Sequence, residues 1–321
     1  MKTPTETVQP SEEPEPSRSA QFVVFGIIAL GSLLFSLKGV FAKLAYNHGS
    51  DPLEILTLRM AFALPFFATT WLIIELRKAA AQPAQRLKDI AQLAALGLLG
   101  YYASSMLDFI GLQYVSASLE RIILYSYPTM VLLQSARIFR QRIERSLYFA
   151  CLLTWAGVSL SFFGESSFEH DTPSLLLGGG LILLCAFTYA LFVVLSGRLL
   201  KRISSQHFTS GAMTFSSLFM LSHFSATRGI ENLFTAAPEV LGIGCFLGIC
   251  GTVIPGYLTA YGLKHTGAAR FAVVSSIGPV MTLFAATYVL GEVPTVFHWV
   301  GLGLTLFGGL SVVLKKKQAS D

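Results

Sequence analysis

The stretch Gly111–Met130, GLQYVSASLERIILYSYPTM, has a second copy at Gly262–Met281, GLKHTGAARFAVVSSIGPVM. The two align without a gap at a shift of 151 residues. At the same shift Leu96, Gly97, Gly100, Leu107, Gly111, Leu112, Ala117, Pro128, Met130 and Gly157 recur as Leu247, Gly248, Gly251, Leu258, Gly262, Leu263, Ala268, Pro279, Met281 and Gly308. Upstream, FSLKGVFAKLAY at 35–46 resembles FTYALFVVLSGR at 187–198 with a one-residue indel. The chain is therefore two copies of one unit, and what that unit is depends on the composition around it.

Hydrophobic residues make up 53% of the chain and charged residues 13%, about half the charge of a soluble domain. A chain of 321 residues this apolar has room for some ten short-looped spans. The expected spans are 22–46, 53–76, 90–113, 116–137, 146–164, 174–197, 207–225, 239–262, 267–290 and 295–314. Each is near the roughly twenty residues that cross a hydrocarbon core of about 30 Å. The span at 207–225 is the weakest, being rich in Ser, Thr and His. Each copy thus holds five spans, with repeat 1 at 22–164 and repeat 2 at 174–314. Residues 1–20 are rich in Pro, Glu, Ser and Thr and cannot bury enough apolar surface to fold. They lack the basic stretch and adjoining apolar run of a signal peptide, so a retained, disordered cytoplasmic tail is expected.

The net charge of +5 does not point to nucleic acid, because basic residues gather at the ends of apolar runs. With the N-terminus inside, all but Lys38, Lys43, Arg59, Arg121, Arg228 and Arg270 of the 23 basic residues fall on cytoplasmic segments. Both termini then lie in the cytoplasm. Five spans is an odd number, so repeat 2 enters the membrane from the opposite side. The loop RIFRQRIER at 137–145 is basic, whereas its counterpart around Gly291–Thr295 carries no basic residue, as inversion demands. Inverted repeats are the mark of secondary transporters with a substrate site near the midplane.

The carrying motifs also resemble a known family. LRMAF at 58–62 with its preceding run, DFIGLQYVSASLERIILYSYPTMV from Asp108, and YGLKHTGAARFAVVSSIGPVMTLFAATYVLGE from Tyr261, followed by a closing helix with Gly308–Gly309–Leu310, are similar to tandem EamA domains of the drug/metabolite transporter superfamily. The resemblance covers about 24–314. It implies an all-α integral membrane protein of ten transmembrane helices, arranged as two inverted five-helix EamA repeats. It further implies a central cavity formed by both halves, with each fifth helix more peripheral. Family members move amino acids, metabolites or drugs, often outward. Repeat 2 has Thr259 where Asp108 stands and Ala272 where Arg121 stands, so any charged site is lopsided.

Charges inside the spans are the site candidates. At 1.5 Å per residue Lys38 lies roughly 12 Å from its helix end, Arg59 roughly 9 Å, and Asp108 and Arg121 roughly 7–8 Å. A charge at the bilayer centre costs about 2.5–3.5 kcal/mol on insertion scales, so such residues pair with one another or line a wet cavity. Lys38 and Asp108 are expected to share an aqueous site that binds substrate or exchanges a proton, or else to form a permanent ion pair, while Arg59 and Arg121 suit either ligand contact or an ion pair with Asp108 or Glu120. Glu120 also suits a helix N-cap. Lys43, Glu54 and Arg270 lie near enough to span ends to snorkel. Tyr101, Ser104, Ser105 and Asp108 form one polar stripe at helical spacing. Tyr125, Tyr257, Tyr261 and Ser275 complete the substrate and coupling candidates. Aromatic and hydroxyl residues also bind helices together, and that reading stands beside the first. Pro128 and Pro279, at equivalent positions, suit hinges or static kinks.

The expected function is a secondary transporter in the inner (plasma) membrane that exports a small metabolite, amino acid or drug-like solute by alternating access, coupled to an ion or proton. The partners are that solute and the lipid bilayer, with homodimer formation left open. An intramembrane enzyme or a channel is the alternative. No nucleophile–base motif or P-loop is present, and the six His are scattered. Neither a cofactor nor a metal is expected, and Cys151, Cys185, Cys245 and Cys250 read as small apolar packing residues.

Overall fold

The computed structural model describes residues 18–77, 83–140, 142–166 and 172–318, and these are helical throughout apart from short connections. In chain order the helices are α1 (Arg18–Asn47), α2 (Pro52–Arg77), α3 (Pro83–Gly97), α4 (Ser104–Gly111), α5 (Ala117–Leu124), α6 (Tyr127–Phe139) and α7 (Arg145–Ser166). They continue as α8 (Thr172–Leu199), α9 (Ser205–Arg228), α10 (Pro238–Gly248), α11 (Ile254–Ser275), α12 (Ile277–Ala285) and α13 (Val296–Gln318). Of the expected tail, residues 1–17 lie outside the described residues. Arg18, Ser19 and Ala20 belong to α1, so the helix starts earlier than composition suggests. Between the repeats, residues 167–171 also lie outside the described residues.

Among the described residues, eight helical stretches are long and apolar enough to cross a membrane. The two expected spans that do not reach this standard have physical reasons. The span at 116–137 is split into α5 and α6, because Pro128 has no N–H to donate to the Leu124 carbonyl. The span at 207–225 is the continuous helix α9, but its Ser, Thr and His residues make it too polar.

Each repeat builds on the other. Helix α1 packs on α11 and α12, while α8, its repeat equivalent, packs on α4 and α6. Helix α2 packs on α9, and α7 on α13. The last pair meets along small residues. A Cβ on Gly157 would lie 2.5 Å from the Gly301 carbonyl oxygen, and one on Gly308 would lie 2.6 Å from that of Ala150. Backbones this close are the usual solution for helices that meet in lipid, where no hydrophobic effect drives them together.

Two backbone irregularities recur at the repeat shift. A π turn joins α3 to α4 at Leu98–Ala103, and another joins α10 to α11 at Ile249–Val253. A helix break separates α5 from α6 at Tyr125–Ser126, and another separates α11 from α12 at Ser276. Within α11 the Phe271 ring returns to 3.5 Å from a Cβ built on Gly262. Nine residues of straight helix would separate these by about 13 Å, so the stretch doubles back there.

Candidate functional site

A cavity of about 370 Å³ lies between the repeats. Its walls come from α1, α2, α4, α8, α9 and α11, from both neighbouring π turns and from the α5–α6 break. Among the described residues α7 and α13 contribute nothing to it. The polar stripe Tyr101, Ser104, Ser105 and Asp108 lines it, as do Lys38, Arg59, Arg121, Tyr125 and Ser275.

The π turns explain how these side chains reach the space. Each carries an extra residue in one helical turn, a distortion that often marks functional sites. The carbonyls it releases are taken by hydroxyls: Ser104 donates to the Leu99 oxygen at 3.0 Å, and Thr252 to the Leu247 oxygen at 2.8 Å. Thr252 Oγ1 also accepts from Arg59 Nε at 2.8 Å. The π turn of repeat 2 thereby holds an arginine of repeat 1.

The charges have distinct settings. Lys38 Nζ donates to Asp108 Oδ2 at 2.5 Å, with both residues buried. Arg59 is 4% exposed, and among the described residues no carboxylate lies within 4.0 Å of it. Its Nη1 has no hydrogen-bond partner there. The Phe109 ring is shared, with Lys38 Nζ at 5.7 Å and Arg59 Cζ at 5.7 Å from its centroid. Arg121 Nη2 donates to the carbonyl oxygens of Ser36 at 3.2 Å and Phe35 at 3.4 Å, and its Nε lies 3.8 Å from Glu120 Oε2. Asp108 is thus held by Lys38, and of the arginines Arg121 takes Glu120 as its ion-pair partner.

Glu120 is buried against α1 beside Gly39 and does not line the cavity. Nor does it cap α5. Ser116 does, accepting from Leu119 N at 3.0 Å. Tyr257 is turned away, bonded to Thr70 at 2.7 Å. Tyr261 is 45% exposed with its ring against His265. Pro128 and Pro279 stand behind the wall, yet Pro279 shapes it. The Ser275 carbonyl that Pro279 cannot bond accepts from the Tyr125 hydroxyl of the other repeat at 3.3 Å.

Beyond the cavity, carboxylates missed by sequence reasoning hold the start of α5. Glu165 accepts from Ser116 N at 2.7 Å and Ser116 Oγ at 2.6 Å, and pairs with His298 Nε2 at 2.9 Å. Glu292 accepts from Ala117 N at 2.7 Å and Ser118 Oγ at 2.8 Å, and lies 4.0 Å from Lys43. Both residues sit at span ends, where a carboxylate is normal, so nothing in their position signalled this use. Asp51 pairs with Arg228 at the surface, and buried Glu75 takes Arg86 at 2.8 Å and His207 at 2.6 Å. Of the lining residues, Phe35, Ser205 and Leu263 are exposed.

Comparison with known proteins places this arrangement. The model of the EamA-like transporter family matches twice, over 23–163 and 176–314. The uncharacterized transporter YcbK of Bacillus subtilis (strain 168) is 30% identical over 283 residues, covering 87% of this chain and 89% of that protein. An uncharacterized transporter of Archaeoglobus fulgidus is 28% identical over 271 residues, covering 83% of this chain and 90% of that one. A protein of known crystal structure is similar in fold, with a TM-score of 0.60 at 15% identity over 95% of this chain and 100% of its own. A multi-pass helical chain that carries the family signature in both halves is a transporter by descent, and it belongs to the EamA-like transporter family.

Proposed function

We propose that the chain is a secondary carrier of a small solute, working by alternating access between two five-span repeats of opposite topology. On this reading α5 with α6 forms one span and α9 another, which makes ten. Both termini face the cytoplasm of a cell whose inner membrane holds the protein. The observation that carries the proposal is the cavity: it lies between the repeats, contains every charge buried within it on the repeat 1 side, and excludes both fifth helices. With both termini inside, the exposed lining residues Ser205 and Leu263, which neighbour Arg202 and Lys264 in sequence, lie on the cytoplasmic side of the cavity. The Glu165, Glu292 and His298 contacts then close the outer side. A cavity loaded from within supports net export. The buried Lys38–Asp108 pair is the proposed coupling element, able to exchange a proton as its access to water changes.

Counterflow in proteoliposomes tests this reading. A carrier preloaded with unlabelled solute accelerates uptake of the labelled form, whereas a channel shows no such acceleration and an enzyme returns a changed compound. Labelled metabolites chosen by thermal-shift screening supply the solute. Uptake without trans-acceleration would overturn the proposal.

A further inference from the structure

The charges lining the cavity do not balance. Lys38, Arg59 and Arg121 line it, and among the described lining residues Asp108 is the single carboxylate. Lys38 already holds Asp108 at 2.5 Å, and Glu120, behind the wall, faces Arg121 at 3.8 Å. Among the described residues no carboxylate lies within 4.0 Å of Arg59 although it is buried, and its Nη1 has no acceptor there. A buried guanidinium in this condition is costly unless something supplies an acceptor. Its orientation is fixed rather than loose, because Thr252 takes Nε and the Phe109 ring lies beneath the guanidinium. Arginine offers a fork of donors that matches a carboxylate edge-on.

Part of the cavity wall is aromatic. Tyr101, Tyr127 and Tyr189 line the cavity. The Tyr127 and Tyr189 rings meet at 5.6 Å, and Phe192 backs Tyr101 at 5.0 Å. The volume of about 370 Å³ suits a small solute buried on most sides. We infer that the transported class is organic monoanions: a carboxylate bound by Arg59, with an apolar or aromatic body against the tyrosine wall. Asp108 gives Oδ2 to Lys38 and keeps only Oδ1 without a partner, while three cations line the cavity against this one carboxylate, so a net negative charge is preferred over a zwitterion or a cation. This inference rests on the carrier reading of the same cavity and names its cargo.

The test uses three compounds with one tail and different heads: 3-phenylpropanoate, 3-phenylpropanamide and 3-phenylpropylammonium. Each is titrated to millimolar concentration, at constant ionic strength, against the purified full-length protein while its melting temperature is followed. The expected result is stabilisation by the anion alone. Arg59→Gln weakens this binding by roughly tenfold to a hundredfold, the span of a charged hydrogen bond. Thr252→Val, which frees Nε but keeps the charge, weakens it less. If Arg59→Gln does not fold, the wild-type charge series with Thr252→Val carries the test. Equal or greater stabilisation by the amide or the ammonium, no stabilisation by any of the three, or full anion binding in Arg59→Gln or, where that variant is not obtained, in Thr252→Val would each overturn the inference. Binding is read here without flux. Anion-selective binding without counterflow would therefore sink the carrier reading alone, and counterflow of solutes without anion selectivity would sink the cargo alone.

Discussion

Replacing Lys38 by Met strands Asp108, and replacing Asp108 by Asn strands Lys38. At 2.5 Å two unit charges attract by about 7 kcal/mol at an effective dielectric constant near 20, and the cost of burying both offsets most of that. Lys38 is 7% exposed and Asp108 1%, so neither abandoned charge regains water. Removing one partner of such a pair costs about 3–5 kcal/mol, a fall of between roughly a hundredfold and a few thousandfold in the ratio of folded to unfolded protein. The Lys38→Met/Asp108→Asn double variant has no buried charge to strand, and its stability should return close to that of the parent. Folded yield and melting temperature, read by fluorescence-detected size exclusion, give the first measurement. Uptake into proteoliposomes across a pH range gives the second. The expected pattern is two damaged single variants and a well-folded double variant that does not transport. Single variants that melt like the parent would show that the pair contributes nothing to folding. A double variant that transports with the parent's pH profile would show that the pair is only structural.

Three other outcomes are expected. Pro128→Ala and Pro279→Ala each restore an amide at an equivalent helix break, so each should slow counterflow several-fold while leaving equilibrium binding near the parent value; equal losses of both would mark the breaks as packing features. A cytoplasm-active reporter fused after Arg142 and a periplasm-active reporter after Val293 should both be active, and one reporter type active at both points would refute opposite repeat topology. Gly157→Val forces a side chain into the Gly301 carbonyl 2.5 Å away and should lower folded yield, with a cost of about 1–3 kcal/mol or more. Gly303→Val meets open space and should leave folded yield unchanged.

The repeat was legible because a duplicated sequence keeps its glycines and prolines, and those residues fix backbone geometry that side-chain periodicity does not report. The polar stripe from Tyr101 to Asp108 was legible for a simpler reason: polar residues at helical spacing in an apolar run have one face to share. The π turns were not legible. An extra residue in a turn leaves the composition unchanged, and nothing about Thr252 in its apolar run shows that it accepts from Arg59. Partner choice among the charges was legible only in part. Depth along the helices put Lys38, Arg59 and Arg121 at the level of Asp108 and suggested Lys38 as its partner, but it did not show that Arg59 would turn to Thr252 and Arg121 to the Ser36 carbonyl. Tyr257 and Tyr261 share a helix face in the sequence, but Tyr257 bonds Thr70 and Tyr261 packs on His265, contacts that helical spacing does not report.

The lopsided charge set has an energetic consequence for a scaffold whose halves are interchangeable. If two copies of one unit can trade conformations, a perfectly duplicated chain has two states that are mirror partners in energy, and neither is preferred. Here the backbone devices are duplicated: π turns at Leu98–Ala103 and Ile249–Val253, and breaks ahead of Pro128 and Pro279. The ionic side chains are not, since Thr259 and Ala272 stand where Asp108 and Arg121 would be repeated. The degeneracy is therefore lifted by a handful of side chains rather than by the fold. Resting orientation becomes a property that substitution can tune without touching the architecture, and inserting carboxylate and guanidinium at positions 259 and 272 would be a step toward levelling the two states.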